Sequence, residues 1–319
     1  VNSVRDKFEN DGETRVIVMR DKAEAMVLAS FAADSLALGV HWIYDVRQIS
    51  SQYGRVERFL KPREGSYHPS KGKGEFTHYG DQQLVLLESL AANRGFDLND
   101  FSERWQRLFQ EYSGYFDGAT KGTLGNFSKG KGPRDSGSPS NELAGASRIA
   151  PLVFCYRNNL EELVVAARLQ TRMTHGDPLT VHAAEFLARV AWKTLKGASP
   201  SEAITEVTQK NYAETIFAEW VQEGFESKEM ESVPAIGSFG QSCHTPAAFP
   251  GVIHLIAKYE KDLKEALVQA VMAGGDNAAR GLAVGMILGA HLGREELPEE
   301  WVTELRQGAE IKNLLQQIG

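Results

Sequence analysis

Ala273–Gly285 reads AGGDNAARGLAVG. Two glycines lead into one carboxylate, Asp276, and a run of small residues follows. That order is a helix start, with the Asp276 side chain placed to accept from the first unpaired backbone N–H groups. The same position suits a ligand in a metal site, and local sequence leaves both readings open. Downstream, Gly281, Gly285, Gly289 and Gly293 recur every fourth residue, a stripe along which a second backbone comes close. In a membrane such a stripe would suggest a helix pair. Here the run is short and carries Arg280 and His291, so it predicts tight packing inside a soluble bundle.

Helical periodicity extends outward on both sides. Lys22–Trp42 is apolar nearly all round and reads as a buried helix. Asp81–Asn93 is amphipathic, and Leu98–Phe116 places Phe101, Trp105, Leu108, Phe109 and Tyr112 on one face. Further helices are expected at 141–156, 160–173, 178–195, 200–207, 212–226, 247–259, 263–273, 277–292 and 298–318. Short β-branched runs are scarce and no strand–turn–strand pattern recurs. The expected fold is all-α, a single large orthogonal bundle of about a dozen helices round one core. Residues 22–319 form that domain behind an N-terminal extension, 1–21. Two long loops interrupt it, Pro62–Phe76 and the glycine-rich Gly118–Ser140, and loops of such length are usually functional.

Composition narrows the function. The chain has 319 residues, 42% of them hydrophobic, and a net charge of −7. No Lys/Arg cluster marks a helix face, and SKGKGPR (128–134) is broken by glycine and lacks aromatic platforms, so nucleic acid is not an expected partner. Two cysteines, Cys155 and Cys243, form neither a disulfide framework nor a zinc spacing. No apolar run approaches the ~20 residues of a membrane span, and the first residues lack an apolar signal core. A soluble, cytoplasmic protein is expected.

Several polar residues stand out against this background. Asp34, in ASFAADSLALG, lies among apolar and small residues. A buried unpaired carboxylate is costly, so it serves either a core hydrogen bond or a pocket. Asp81, in FTHYGDQQLVLL, suits an N-cap for the helix after it. Asp177 before Pro178 reads as a cap followed by proline at the first helical position. His175 has no such local role. Cys243 and His244 are sequence neighbours, whose side chains usually point apart, which argues against a thiol nucleophile.

Taken in order, these segments resemble the ADP-ribosylglycohydrolase family over roughly Lys22–Arg294. ASFAADSLALG looks like the family's opening Gly-Asp-Ala-Leu-Gly helix, with Asp34 on its aspartate. FTHYGDQQLVLL stands where the family has Tyr-Thr-Asp-Asp-Thr-Gln-Leu. SNELAGASRIAPL (140–152) resembles a Gly-Asn-Gly-x-x-Met-Arg-x-x-Pro segment through Arg148 and Pro151. MTHGDP is similar to a Thr-His turn, and AGGDNAARGLAVG to Gly-Gly-Asp-Thr-Asp-Thr. The YGDQ and GGDN variants resemble a branch near the J1 crystallins and selenoprotein J.

The resemblance implies cleavage of an ADP-ribosyl or related ribosyl glycosidic bond, on a small molecule or an ADP-ribosylated protein, around a magnesium pair. It also implies departures. Tyr79 and Gly80 replace the family's threonine and first aspartate, and Gln82 its next threonine. Asn277, Ala278 and Ala279 replace a threonine, the second aspartate and a threonine. With two carboxylates absent, Asp34, Asp81 and Asp276 are the expected ligands of a single Mg2+, Asp34 and Asp81 also being the expected catalytic residues. Gln82 and His175 would contact the ribose. Asn277 and Arg280 would line the site, Arg280 in the place of the second metal, and backbone N–H groups of Gly118–Ser140 would approach a diphosphate. A non-catalytic ADP-ribose binder or crystallin-like scaffold is the alternative.

Overall fold

The computed structural model describes the backbone from Asn2 to Gly319 and side chains from Ile17 onward. In chain order the helices are α1 (Asn2–Leu38), α2 (Val46–Tyr53), α3 (His78–Asn93), α4 (Leu98–Gln110), α5 (Gly118–Ser128) and α6 (Ala144–Ser147). Next come α7 (Ala150–Cys155), α8 (Leu160–Thr174), α9 (Pro178–Leu195), α10 (Pro200–Val207), α11 (Ile216–Glu226) and α12 (Ser232–Phe239). The series ends with α13 (Thr245–Lys258), α14 (Leu263–Met272), α15 (Asn277–Leu292), α16 (Glu299–Thr303) and α17 (Gly308–Ile318). Among the described residues there is no strand, only the isolated bridges Ser138–His175 and Glu142–His244. No described helix is long and apolar enough to cross a membrane.

α15 is the axis of the bundle. Every residue from Asn277 to Ala290 is buried, and its longest partner is α1. The glycine stripe is what permits the pairing. A Cβ on Gly285 would lie 2.6 Å from the Ala29 carbonyl oxygen, and one on Gly289 would lie 2.8 Å from Ala29 Cβ. Helices α9, α13 and α14 close round the other sides of α15.

Local chemistry sets most boundaries. Asp177 caps α9 ahead of Pro178, as expected. Asp276 caps α15, accepting from Ala279 N–H. Asp81, expected to cap α3, does not. Thr77 holds that position and accepts from Tyr79 N–H, so α3 starts a turn earlier and the Asp81 carboxylate is released for other bonds. The expected helix at 141–156 is broken into α6 and α7, because Pro151 has no N–H to continue the ladder. The first half of the expected Gly118–Ser140 loop is α5. Its glycines give it poor propensity, but Asp117 caps it and Gly122 packs on Ser138. Helices α2 and α12, eight residues each, are not among the expected helices. α1 runs unbroken across the expected boundary at 21–22. The side chains of residues 1–16, most of the expected extension, lie outside the described residues.

Three ends meet at one place: the C-terminal end of α1 and the N-terminal ends of α3 and α15. Trp42 N–H donates to the Gly275 carbonyl, Thr77 bonds Asp34, and Tyr79 bonds Asp276.

Candidate active site

The α3 end carries the first two carboxylates. Asp34 is fully buried near the C-terminal end of α1 and faces the α3 cap. Thr77 donates its backbone N–H to Asp34 Oδ2 at 2.7 Å and its hydroxyl to Oδ1 at 2.6 Å. Both oxygens are thus engaged by one residue. Burial pushes the Asp34 carboxyl up to about 7, against the Thr77 bonds that favour the charged form. Gly80 makes this approach possible, since a Cβ there would lie 2.5 Å from Asp34 Oδ2 and 2.7 Å from Phe76 Cβ. The first aspartate of the resembled motif is therefore not simply missing; the Asp34 carboxylate stands where its side chain would begin.

Asp81 points elsewhere. Lys71, from the loop before α3, places Nζ 2.5 Å from Asp81 Oδ2, and the Tyr112 hydroxyl donates to the same oxygen. The ion pair is largely shielded, with 17% and 14% of the two side chains exposed. Burial pushes the Asp81 carboxyl up, and Lys71 opposes it.

The α15 end is fixed by its two glycines. Gly274 and Gly275 both adopt left-handed φ, +68° and +62°, and a Cβ on Gly275 would lie 2.0 Å from the Gln241 carbonyl oxygen. Their tight turn aims Asp276 inward. Oδ1 meets His41 Nε2 at 3.1 Å and Oδ2 receives the Tyr79 hydroxyl at 3.4 Å. His41 Nδ1 in turn lies 2.8 Å from His68 Nε2. One set of neutral tautomers satisfies this chain: His68 donates to His41, and His41 donates to Asp276. Burial pulls both imidazoles below the ordinary histidine value. Beside them His78 Nε2 lies 3.2 Å from Asp117 Oδ2. Burial alone would raise Asp117, but the hydrogen bond and charge of His78 hold it below the carboxylate range.

These rings occupy the space between the three helix ends. His41, His68, His78, Trp42, Tyr79 and Tyr115 pack with neighbouring centroids 4.1 to 6.4 Å apart. At the rim, Tyr67 is 47% exposed and meets Trp42 and Tyr115 edge-on.

The donor set does not fit a magnesium ion. Mg2+ needs near-octahedral oxygen ligands. Asp34 is committed to Thr77, Asp81 to an ammonium and a phenol, and Asp276 to an imidazole, a phenol and its own helix. Among the described residues no group of three or more His, Cys, Asp and Glu side chains is placed to hold a metal. The expected three-carboxylate shell is not assembled, because each member has a protein donor of its own.

The other expected contacts also separate. Gln82 is buried within a network: its amide donates to His78 O, and its oxygen accepts from Trp105 Nε1 and Arg148. Its oxygen is thereby fully engaged within the protein. Asn277 is buried and donates to Val271 O. Arg280 Nη2 donates to the Ala270 and Gly274 carbonyls, at 2.9 and 2.6 Å, and so ties the guanidinium to the end of α14. In α5 the Asp117 carboxylate takes Thr120 N–H and the Asp117 carbonyl takes Lys121 N–H, so most of this stretch's backbone donors are engaged in the helix or its cap. His175 keeps an unpartnered Nε2 and faces Glu142, and Asn277 Oδ1 and Arg280 Nε and Nη1 are likewise buried without a hydrogen-bond partner.

Comparison with known proteins agrees with this architecture. The sequence pattern of the ADP-ribosylglycohydrolase family matches residues 16–319. The chain belongs to that family. Crystallin J1A of Tripedalia cystophora is 24% identical, over 94% of this chain and 96% of its own. ADP-ribosylhydrolase ARH3 of Bos taurus is 25% identical, over 76% and 77%. A solved structure described as an ADP-ribosylglycohydrolase-related protein complex superposes with a TM-score of 0.75 at 24% identity, covering 94% of this chain and 97% of its own, which shows the shared fold. Within this family scaffold, sequence reasoning missed Lys71, His41, His68, His78, Asp117 and Glu142. A signal existed for two of them. His41 follows Asp34 by seven residues, just beyond the end of the same helix, and His78 adjoins the YGDQ motif.

Proposed function

We propose that this chain recognises an ADP-ribosyl or related ribosyl group, free or on a protein, without a metal ion, and does not run magnesium-dependent cleavage. The observation that carries the reading is the pairing of every expected ligand: Thr77 on Asp34, Lys71 on Asp81 and His41 on Asp276. A lysine ammonium is a fixed cation at a carboxylate, so it leaves Asp81 no need of another. Family membership supports the ribosyl ligand. The rim of Trp42, Tyr67 and Tyr115 offers aromatic faces to a base or sugar.

A second reading, glycosidic hydrolysis without a metal, draws on one observation besides the family. Glu142 Oε2 is buried and unpartnered, an acceptor available to a water proton.

Thermal unfolding with ADP-ribose, in MgCl2 and in EDTA, tests the first reading. A ligand at 100 times its dissociation constant adds about 2.7 kcal/mol. An equal shift in both buffers is expected, and a shift seen only with MgCl2, or none at all, overturns it. Release of ADP-ribose from arginine- and serine-linked peptides in EDTA would establish the second reading.

A further inference from the structure

Between α3, α4 and the loop before α3 lies a cavity of about 520 Å3. None of the rings of the cluster described above lines it. The two places are joined through Asp81, whose partners Lys71 and Tyr112 form part of the cavity wall.

Helical spacing builds the other walls. α3 contributes Val85 and Glu88, and α4 contributes Arg104 and Leu108, each pair about one turn apart. Val85 and Leu108 make one side aliphatic, and Tyr112 adds an aromatic ring. That ring already meets an ammonium, Lys71 Nζ lying 5.2 Å from its centroid.

Most charges on these walls are spent within the protein. Lys71 is paired with Asp81, Arg104 with Asp100, and Glu75 with Arg306 and the Gly72 N–H. Arg107 and Glu111 are exposed to water. Glu88 differs from all of them. It is half-buried, and among the described residues it forms no ion pair and accepts no hydrogen bond. Burial pushes its carboxyl up and the nearby Glu310 adds to the push, against Arg104. A carboxylate that has lost water beside a second carboxylate is stabilised by a cation. The aliphatic and aromatic walls suit an apolar stem behind that cation.

We propose that this cavity binds a primary amine or guanidinium on an aliphatic stem, with Glu88 as its counterion. Such a group is the side chain of a lysine or arginine in a polypeptide, or a free alkylamine of the same form. The site goes beyond the ribosyl reading and does not depend on it.

The test uses the full chain in low-salt buffer with EDTA. Ligand-detected NMR titrations follow agmatine, an acetylated and amidated Ala-Lys-Ala peptide, and the same peptide with norleucine in place of lysine. The proteins are the parent, Glu88→Gln and the exposed control Glu111→Gln. The site predicts binding of at least one of the two cations and none of the norleucine peptide. It predicts a loss of about tenfold or more in Glu88→Gln, the effect of removing a charged hydrogen-bond partner, and little change in Glu111→Gln. A lysine peptide that outbinds agmatine supports the site with a polypeptide as the source, and agmatine that outbinds the peptide supports it with a free amine. No binding of either cation, equal affinity in the parent and Glu88→Gln, or an equal loss in Glu111→Gln overturns the proposal. Thermal unfolding adds a reading without ligand. Glu88→Gln should melt at or above the parent, because an unpaired, partly desolvated charge is removed. A fall of several degrees would show that Glu88 serves a structural partner, and would overturn the assignment.

Discussion

Gly80→Ala adds a single methyl group at the centre of the account. On an exposed helix the change would gain about 1 kcal/mol from propensity. At this position the new Cβ would lie 2.5 Å from Asp34 Oδ2 and 2.7 Å from Phe76 Cβ. Asp34 cannot swing aside cheaply, because Thr77 holds both of its oxygens. Overpacking of this kind costs about 1–3 kcal/mol, and with Asp34 pinned the upper part of that range applies, about 2–3 kcal/mol, so the net effect is a loss of about 1–2 kcal/mol. Gly80→Asp, which restores the family's carboxylate, adds a buried like charge beside Asp34 and raises the loss to about 3–5 kcal/mol. At about 2 °C per kcal/mol for a chain of this size, the two variants should melt a few degrees and roughly 6–10 °C below the parent. Calorimetry with and without MgCl2 is the assay. An Ala variant as stable as the parent would refute the packing argument. An Asp variant that recovers its stability on addition of MgCl2 would show that the cleft still accepts a metal.

Three further outcomes follow from the same contacts. Lys71→Met strips the shielded Asp81 of its cation and should cost about 2–3 kcal/mol in urea unfolding, and Asp81→Asn in the same chain should recover much of it. Arg280→Ala should lose about 2–4 kcal/mol of stability through the unpaired Ala270 and Gly274 carbonyls while leaving the response to ADP-ribose unchanged; a changed response would place Arg280 in the site. Asp34 has its pKa raised from 3.8 to about 7, so its contribution to stability is full below 3.8 and is withdrawn as pH rises through 7. Asp34→Asn should therefore flatten the decline across that window, whose ceiling is about 4 kcal/mol, and an unchanged pH profile would refute the burial argument.

The fold was legible because its signals are local and repeated. Apolar periodicity marks the long helices, the glycine stripe marks the α1–α15 seam, and Asp177–Pro178 and Asp276 mark helix starts. The site was less legible. Asp34, Asp81 and Asp276 are distinctive as buried or boundary carboxylates, but their partners come from afar: Thr77 lies 43 residues from Asp34, and His41 lies 235 from Asp276. Lys71 sits in a glycine-rich loop whose composition says only that it is a loop. Thr77 outcompeted Asp81 as the α3 cap, and that one-turn difference redirected the Asp81 side chain. The bond from Arg280 Nη2 to the carbonyls at the end of α14 has no signal in the local sequence.

Titration of the parent protein with Mn2+, followed by the electron paramagnetic resonance of the free ion, tests the central claim most directly. The account predicts a free-ion signal that matches the protein-free control even at millimolar chain, because every candidate ligand already has a protein donor. A stoichiometric loss of that signal, reversed by excess Mg2+ and abolished in Asp276→Asn, would contradict it.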